Sequence, residues 1–127
     1  MKSAFFLIFI IVALLNFGSC NPLTIETPTL KGKVLGVSIS PYSNNDIIIK
    51  VSGLVTLEKL PLLDGKSLPI NTNNNIYLVG DNVYYIVLTT EKALFPGTHI
   101  LMIQKSSLLD YESGLFLNHS GHIFIVP

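Results

Sequence analysis

The chain has 127 residues, 49% of them hydrophobic and only 13% charged, and its eight basic and eight acidic residues balance to a formal net charge of +0. Every basic residue is a lysine, and the lysines are scattered. This excludes the arginine forks and dense basic patches of nucleic-acid recognition, and a polybasic attachment to anionic lipid.

Lys2 is the only charge before Glu26, and Ala4 to Leu15 is an unbroken apolar run leading to Asn16, Gly18 and Ser19. A charged start, a short apolar stretch and small exit residues predict a secretory signal peptide over residues 1–20. The run is shorter than the roughly 20 apolar residues of a spanning helix. Two cleavages remain open. In a bacterium, Phe17-Gly-Ser-Cys20 resembles a lipobox, with Phe17 where leucine is usual, and Cys20 is then a diacylated first residue and the sole membrane attachment. In a eukaryote, Gly18 and Cys20 flank an ordinary cut before Asn21. Both place the protein outside the cytoplasm, as an anchored lipoprotein or as a secreted or cell-surface protein. Both also leave the folded part without a thiol, because Cys20 is the only cysteine. Disulfides, thiolate catalysis and cysteine metal sites are thereby excluded.

Residues 21–29 (NPLTIETPT), with two prolines, read as an extended tether, and 30–127 as one domain. Roughly 107 residues is ample for a single core. Val34 to Ser40 is a predicted strand, ended by Pro41 and a polar SNND turn, and Asp46 to Ser52 is a dense β-branched strand ended by Gly53. Leu54 to Leu63 is ambiguous between helix and strand, and Pro61 favours β structure. Asp64-Gly65 between apolar flanks signals a hairpin, followed by a short strand at Leu68 to Ile70. Ile76 to Val79 and Val83 to Thr89 form the next pair around Gly80-Asp81-Asn82. Pro96-Gly97 leads into His99 to Gln104, Lys105 to Ser113 is a polar loop, and Leu115 to Leu117 and His122 to Val126 close the chain. Seven to nine short strands with such turn spacing predict an all-β sandwich.

The stretch SISPYSNNDIIIKVSG (Ser38 to Gly53) resembles the opening of an IPT/TIG domain, with LDGKSL (Leu63 to Leu68), LFPGTHILMI (Leu94 to Ile103) and GHIFIV (Gly121 to Val126) resembling its later hairpin, Pro-Gly turn and final strand. The resemblance runs over about Lys33 to Val126 and implies an immunoglobulin-like E-set β-sandwich. It implies no catalytic residues and no cofactor. Domains of that family bind proteins or sugars, space other domains or mediate adhesion.

The residues that carry chemistry are few. His119 and His122 are three apart, with Asp110 and Glu112 nearby, but metal sites need three or four converging ligands. A polar turn between the last strands accounts for them, and His99 reads as a strand-edge residue. Ser106, Ser107 and Ser120 lie in no nucleophile elbow. Asp110 and Glu112 are read as a charged loop rim. Asn118-His119-Ser120 is an N-glycosylation sequon, meaningful only in a eukaryote. Along Val83-Tyr84-Tyr85-Ile86 alternate residues point to opposite faces, so one of Tyr84 and Tyr85 faces the core. The other can join Tyr42 and Tyr77 in an exposed contact patch, tyrosine being favoured at interfaces. The expectation is an exported, non-enzymatic binding or adhesion module without cofactor or metal, whose partner is a protein or carbohydrate. The alternative is a structural lipoprotein of an envelope or secretion assembly, docking by a β-edge.

Overall fold

A computed structural model describes residues 27–68 and 75–127, which contain ten strands and no helix. The strands are β1 (Lys33–Ser40), β2 (Ser43–Ser52), β3 (Val55–Leu57), β4 (Leu62–Leu63), β5 (Lys66–Ser67), β6 (Asn75–Gly80), β7 (Val83–Thr89), β8 (Gly97–Ile103), β9 (Leu108–Asp110) and β10 (Ser120–Val126). All pairings are antiparallel. One sheet has the order β1-β2-β7-β6, a second β10-β8-β4-β5, and β3 pairs with β9. The leader with Cys20, the tether through Glu26, and residues 69–70 of the expected Leu68–Ile70 strand lie outside the described residues.

The period-two pattern explains the layering. Ile47, Ile49 and Val51 of β2 are fully buried, while Ile48 is half-buried and Lys50 exposed between them. Their cross-strand partners on β7 are Leu88, Ile86 and Tyr84. Leu101 and Ile103 of β8 and Phe124 and Val126 of β10 complete the same cluster, so both large sheets bury one core. Each such aliphatic residue contributes roughly 1.5–3 kcal/mol on leaving water.

Tight turns set the registers. Pro41-Tyr42 joins β1 to β2, and Asp81-Asn82 joins β6 to β7. Asp64 and Gly65 both have positive φ, 52° and 83°, as a two-residue type I′ hairpin turn requires. Strand β5 therefore begins at Lys66, and Leu68 follows it as a buried residue outside any strand.

Several boundaries differ from expectation. Ser43 to Asp46 is not a turn but the first half of β2. Its polar groups find partners across the chain: Thr89 Oγ1 donates to Asp46 Oδ1 at 2.7 Å, and Asn45 Nδ2 donates to the Thr90 carbonyl at 3.2 Å. Leu94 N–H also donates to the Asn44 carbonyl at 2.9 Å. The polar loop after Gln104 contains β9, and Leu115 to Leu117 forms only an isolated bridge, Phe116 to Leu109.

Asp110 is no loop rim. It is 1% exposed at the end of β9, where its Oδ2 accepts from Lys31 N–H at 2.8 Å and Ser113 Oγ–H at 2.7 Å. Burial pushes its carboxyl up, but hydrogen bonds from Ser113 and the Lys31, Gly32 and Glu112 backbone outweigh that and hold it below the usual range. The clamp ties the segment entering β1 to the chain 79 residues later. Beside it Gly53 adopts φ 83°, and a Cβ there would lie 3.3 Å from Gly32 Cα.

Truncating the centre of this core has a defined cost. Ile49→Ala is expected to lower stability by about 3 kcal/mol, within the usual range for buried isoleucine. Urea unfolding monitored by tyrosine fluorescence measures it, and Ile48→Ala, half-buried on the other face, should lose far less.

Candidate functional site

Tyr85 is the outward member of the Tyr84–Tyr85 pair, and it comes together with Tyr77 and Tyr42. On the outer face of the first sheet Tyr85 lies between Lys50 of β2 and Tyr77 of β6, both directly opposite it. Tyr77 is 51% exposed and Tyr42, at the tip of the β1–β2 turn, 95%. Tyr42 and Tyr85 line a shallow cleft of about 340 Å³ whose floor and walls include Ser38, Ser40, Ile48 and Lys50. The turn is braced by Tyr42 N–H donating to Ser40 Oγ at 3.1 Å. Tyr84 does not join them. It pairs with Leu78 and Val51 on the inner face and packs against the core. The outer face thus presents aromatic rings, two serine hydroxyls and one ammonium on a rigid sheet. Such rings offer large contact area at low entropic cost with a polar tip for hydrogen bonding.

A second constellation was not legible in the sequence. His99 of β8 stacks on Phe124 of β10, with ring centroids 5.6 Å apart. Its Nδ1 lies 2.7 Å from Asp64 Oδ2 and its Nε2 2.7 Å from the Phe95 carbonyl. Both neighbours are acceptors, so both ring nitrogens donate only in the imidazolium form. The Phe95 carbonyl, followed by Asp64, therefore holds the His99 pKa above its ordinary value against the opposing effect of burial. Asp64 is also tied to the backbone of β8, its N–H donating to the Ile100 carbonyl and its Oδ1 accepting from Ile100 N–H, each at 2.9 Å. Burial pushes the Asp64 carboxyl up, yet the Ile100 and His99 hydrogen bonds bring it below the usual range.

This network bridges two walls of a groove of about 590 Å³, the β4–β5 hairpin on one side and residues Thr90 to Phe95 on the other. Asp64 and His99 are 35 residues apart and meet only because Leu63 pairs with Leu101. Neither residue carries a local signal of that encounter.

The remaining candidates do not converge. No group of three or more His, Cys, Asp or Glu side chains able to hold a metal occurs among the described residues. His119 is exposed, while His122 pairs through Nε2 with Ser120 Oγ at 2.9 Å, and burial pushes its ring below the ordinary range. Ser120 is thus the half-buried start of β10 and not a solvated turn residue. Ser107 is fully buried, Ser106 and Glu112 are exposed, and Asn118 of the sequon is exposed.

No protein-family model, curated protein or solved structure matches this chain. The resemblance to IPT/TIG domains therefore rests on the short sequence motifs alone. What the fold itself establishes is an all-β protein of antiparallel sheets.

The His99 bridge makes stability depend on pH in a definite direction. Because its folded pKa lies above the ordinary 6.5, its contribution is complete below that value and is lost as pH rises through the raised one. Thermal unfolding from about pH 6 to about pH 9 should show this decline, and His99→Gln should flatten it. An unchanged decline in that variant would assign the effect to another group.

Proposed function

We propose that this chain is an exported, non-enzymatic binding or adhesion module of immunoglobulin-like E-set type, whose tyrosine face meets a protein or carbohydrate outside the cytoplasm. The observation that carries the reading is the alignment of Tyr77, Tyr85 and Tyr42 on one outer sheet face around Lys50 and Ile48. Exposed aromatic side chains on a rigid sheet are costly to leave in water and suited to a partner. Strand order supports the fold assignment: β1-β2-β7-β6 and β10-β8-β4-β5 correspond to A-B-E-D and G-F-C-C′ of immunoglobulin-like sandwiches, with β3 and β9 as additions. Export is read from the apolar run that precedes Cys20.

Tyr42→Ala and Tyr85→Ala test the face. Each removes a ring whose truncation at an interface centre costs about 1–2 kcal/mol, so each is expected to weaken capture roughly tenfold. Capture is measured on an immobilised glycan array and on intact host cells with and without protease treatment. Signal on the array identifies a sugar, and signal on cells lost after protease identifies a protein. Variants that bind like the parent on both would sink the assignment.

The second reading is a structural lipoprotein subunit of an envelope assembly. It is favoured by β6, which ends its sheet and exposes Ile76, Tyr77, Leu78 and Val79 in succession, at 37%, 51%, 65% and 47%. The protein recovered from its native host separates the two. Intact mass showing a diacylated Cys20, with the chain in a stoichiometric complex, establishes the subunit. A chain beginning at Asn21 without lipid, recovered alone, establishes the free module.

A further inference from the structure

We propose that the groove between the β4–β5 hairpin and the Thr90–Phe95 segment is a second binding site, which accepts an apolar body carrying one carboxylate, as a medium-chain fatty acid does. It shares no residue with the tyrosine face, so the two assignments stand or fall separately.

The volume of about 590 Å³ lies within the ~300–1,000 Å³ of small-molecule clefts. Its apolar lining comes from Leu63, Ala93, Leu94 and Phe95. Leu63 and Leu94 pack on the core, so the floor is continuous with the hydrophobic cluster. Phe95 is 82% exposed at the groove, an aromatic ring left in water that a bound apolar chain would cover.

The walls are pre-formed. His99 holds Asp64 on one side and the Phe95 carbonyl on the other. Thr90 Oγ1 donates within reach of the Lys92 and Asn45 carbonyls, at 2.6 and 3.2 Å, and Leu94 N–H is fixed on Asn44. A site held in this way loses little entropy when a ligand enters.

Charge selects the ligand. The charged groups on the groove are Asp64, Lys66, Glu91, Lys92 and His99. Asp64 and His99 form the single salt bridge among the described residues, and with the His99 ring in the imidazolium form that its two acceptors favour, they cancel. Two ammoniums against the Glu91 carboxylate leave one net positive charge, and neither Lys66 nor Lys92 has a carboxylate within salt-bridge distance among those residues. A cation is therefore disfavoured. A phosphate lacks the arginine forks that hold it bidentately, because the chain contains no arginine. An apolar monocarboxylate satisfies both the floor and the rim.

The test is titration calorimetry of the folded protein with dodecanoate and with dodecanol, the same chain without the charge. Saturable binding of dodecanoate is expected, with dodecanol roughly tenfold weaker, since each rim ion pair supplies up to about a fivefold gain. The double variant Lys66→Gln/Lys92→Gln should bring dodecanoate down to the dodecanol level. Ala93→Trp, at an exposed position, should abolish binding of both by filling the groove. Tyr85→Ala should leave all of it unchanged. Absence of saturable dodecanoate binding, equal affinity for dodecanol, or indifference to Ala93→Trp overturns the proposal.

Discussion

Register along β2 is the constraint on which everything else depends. Ile47, Ile49 and Val51 lie wholly in the core, and Lys50 between them lies on the outer face. A slip of one residue would carry the lysine inward and the three aliphatic residues into water. An unpaired buried ammonium alone costs several kcal/mol, more than the cross-strand contacts of any single pair can offset. With β1 on one side and β7 on the other, that register passes to the neighbouring strands. It sends Tyr84 inward and Tyr85 outward, so the proposed contact face is a consequence of keeping Lys50 in water.

The second sheet is built less evenly. Its β8 and β10 strands run seven residues each, whereas β4 and β5 have two. The margin beside the short pair is where the groove opens. The His99 imidazolium spans that margin, exchanging polar contacts with a hairpin on one wall and a loop carbonyl on the other. A strand-edge histidine thereby serves as a brace between non-adjacent segments, and it can donate to both of them only while its ring is protonated.

Sequence patterning was readable where apolar and polar residues alternate and silent where they do not. The hairpin at Asp64-Gly65 followed from turn chemistry alone, because the two positive φ angles restrict the residues allowed. In His122-Ile-Phe-Ile-Val126 both faces are apolar, so nothing in the residues says that Phe124 is buried while Ile123 and Ile125 remain 68% exposed. Strand β9 was hidden for a different reason. Leu-Leu-Asp is short and ends on a carboxylate, and it becomes a strand only because β3, some fifty residues earlier, lies beside it with the Asp110 clamp. Polar Ser43 to Asp46 looked like a turn because its cross-strand acceptors and donors, at Thr89, Thr90 and Leu94, are remote in sequence.

By itself the sequence determined the all-β class, most strand positions, the turns at Asp64-Gly65 and Asp81-Asn82 and the absence of arginine and of a thiol in the described part, since these follow from local sterics and composition. It also restricted the tyrosine patch to either Tyr84 or Tyr85, because strand geometry has a period of two. Tertiary structure alone decided which of the two faces outward, that Asp110 is a buried clamp, and that Asp64, Phe95 and His99 meet across a groove. Those outcomes depend on which strands pair and in what register. That choice is made by burial of the whole core, which no short window of residues contains.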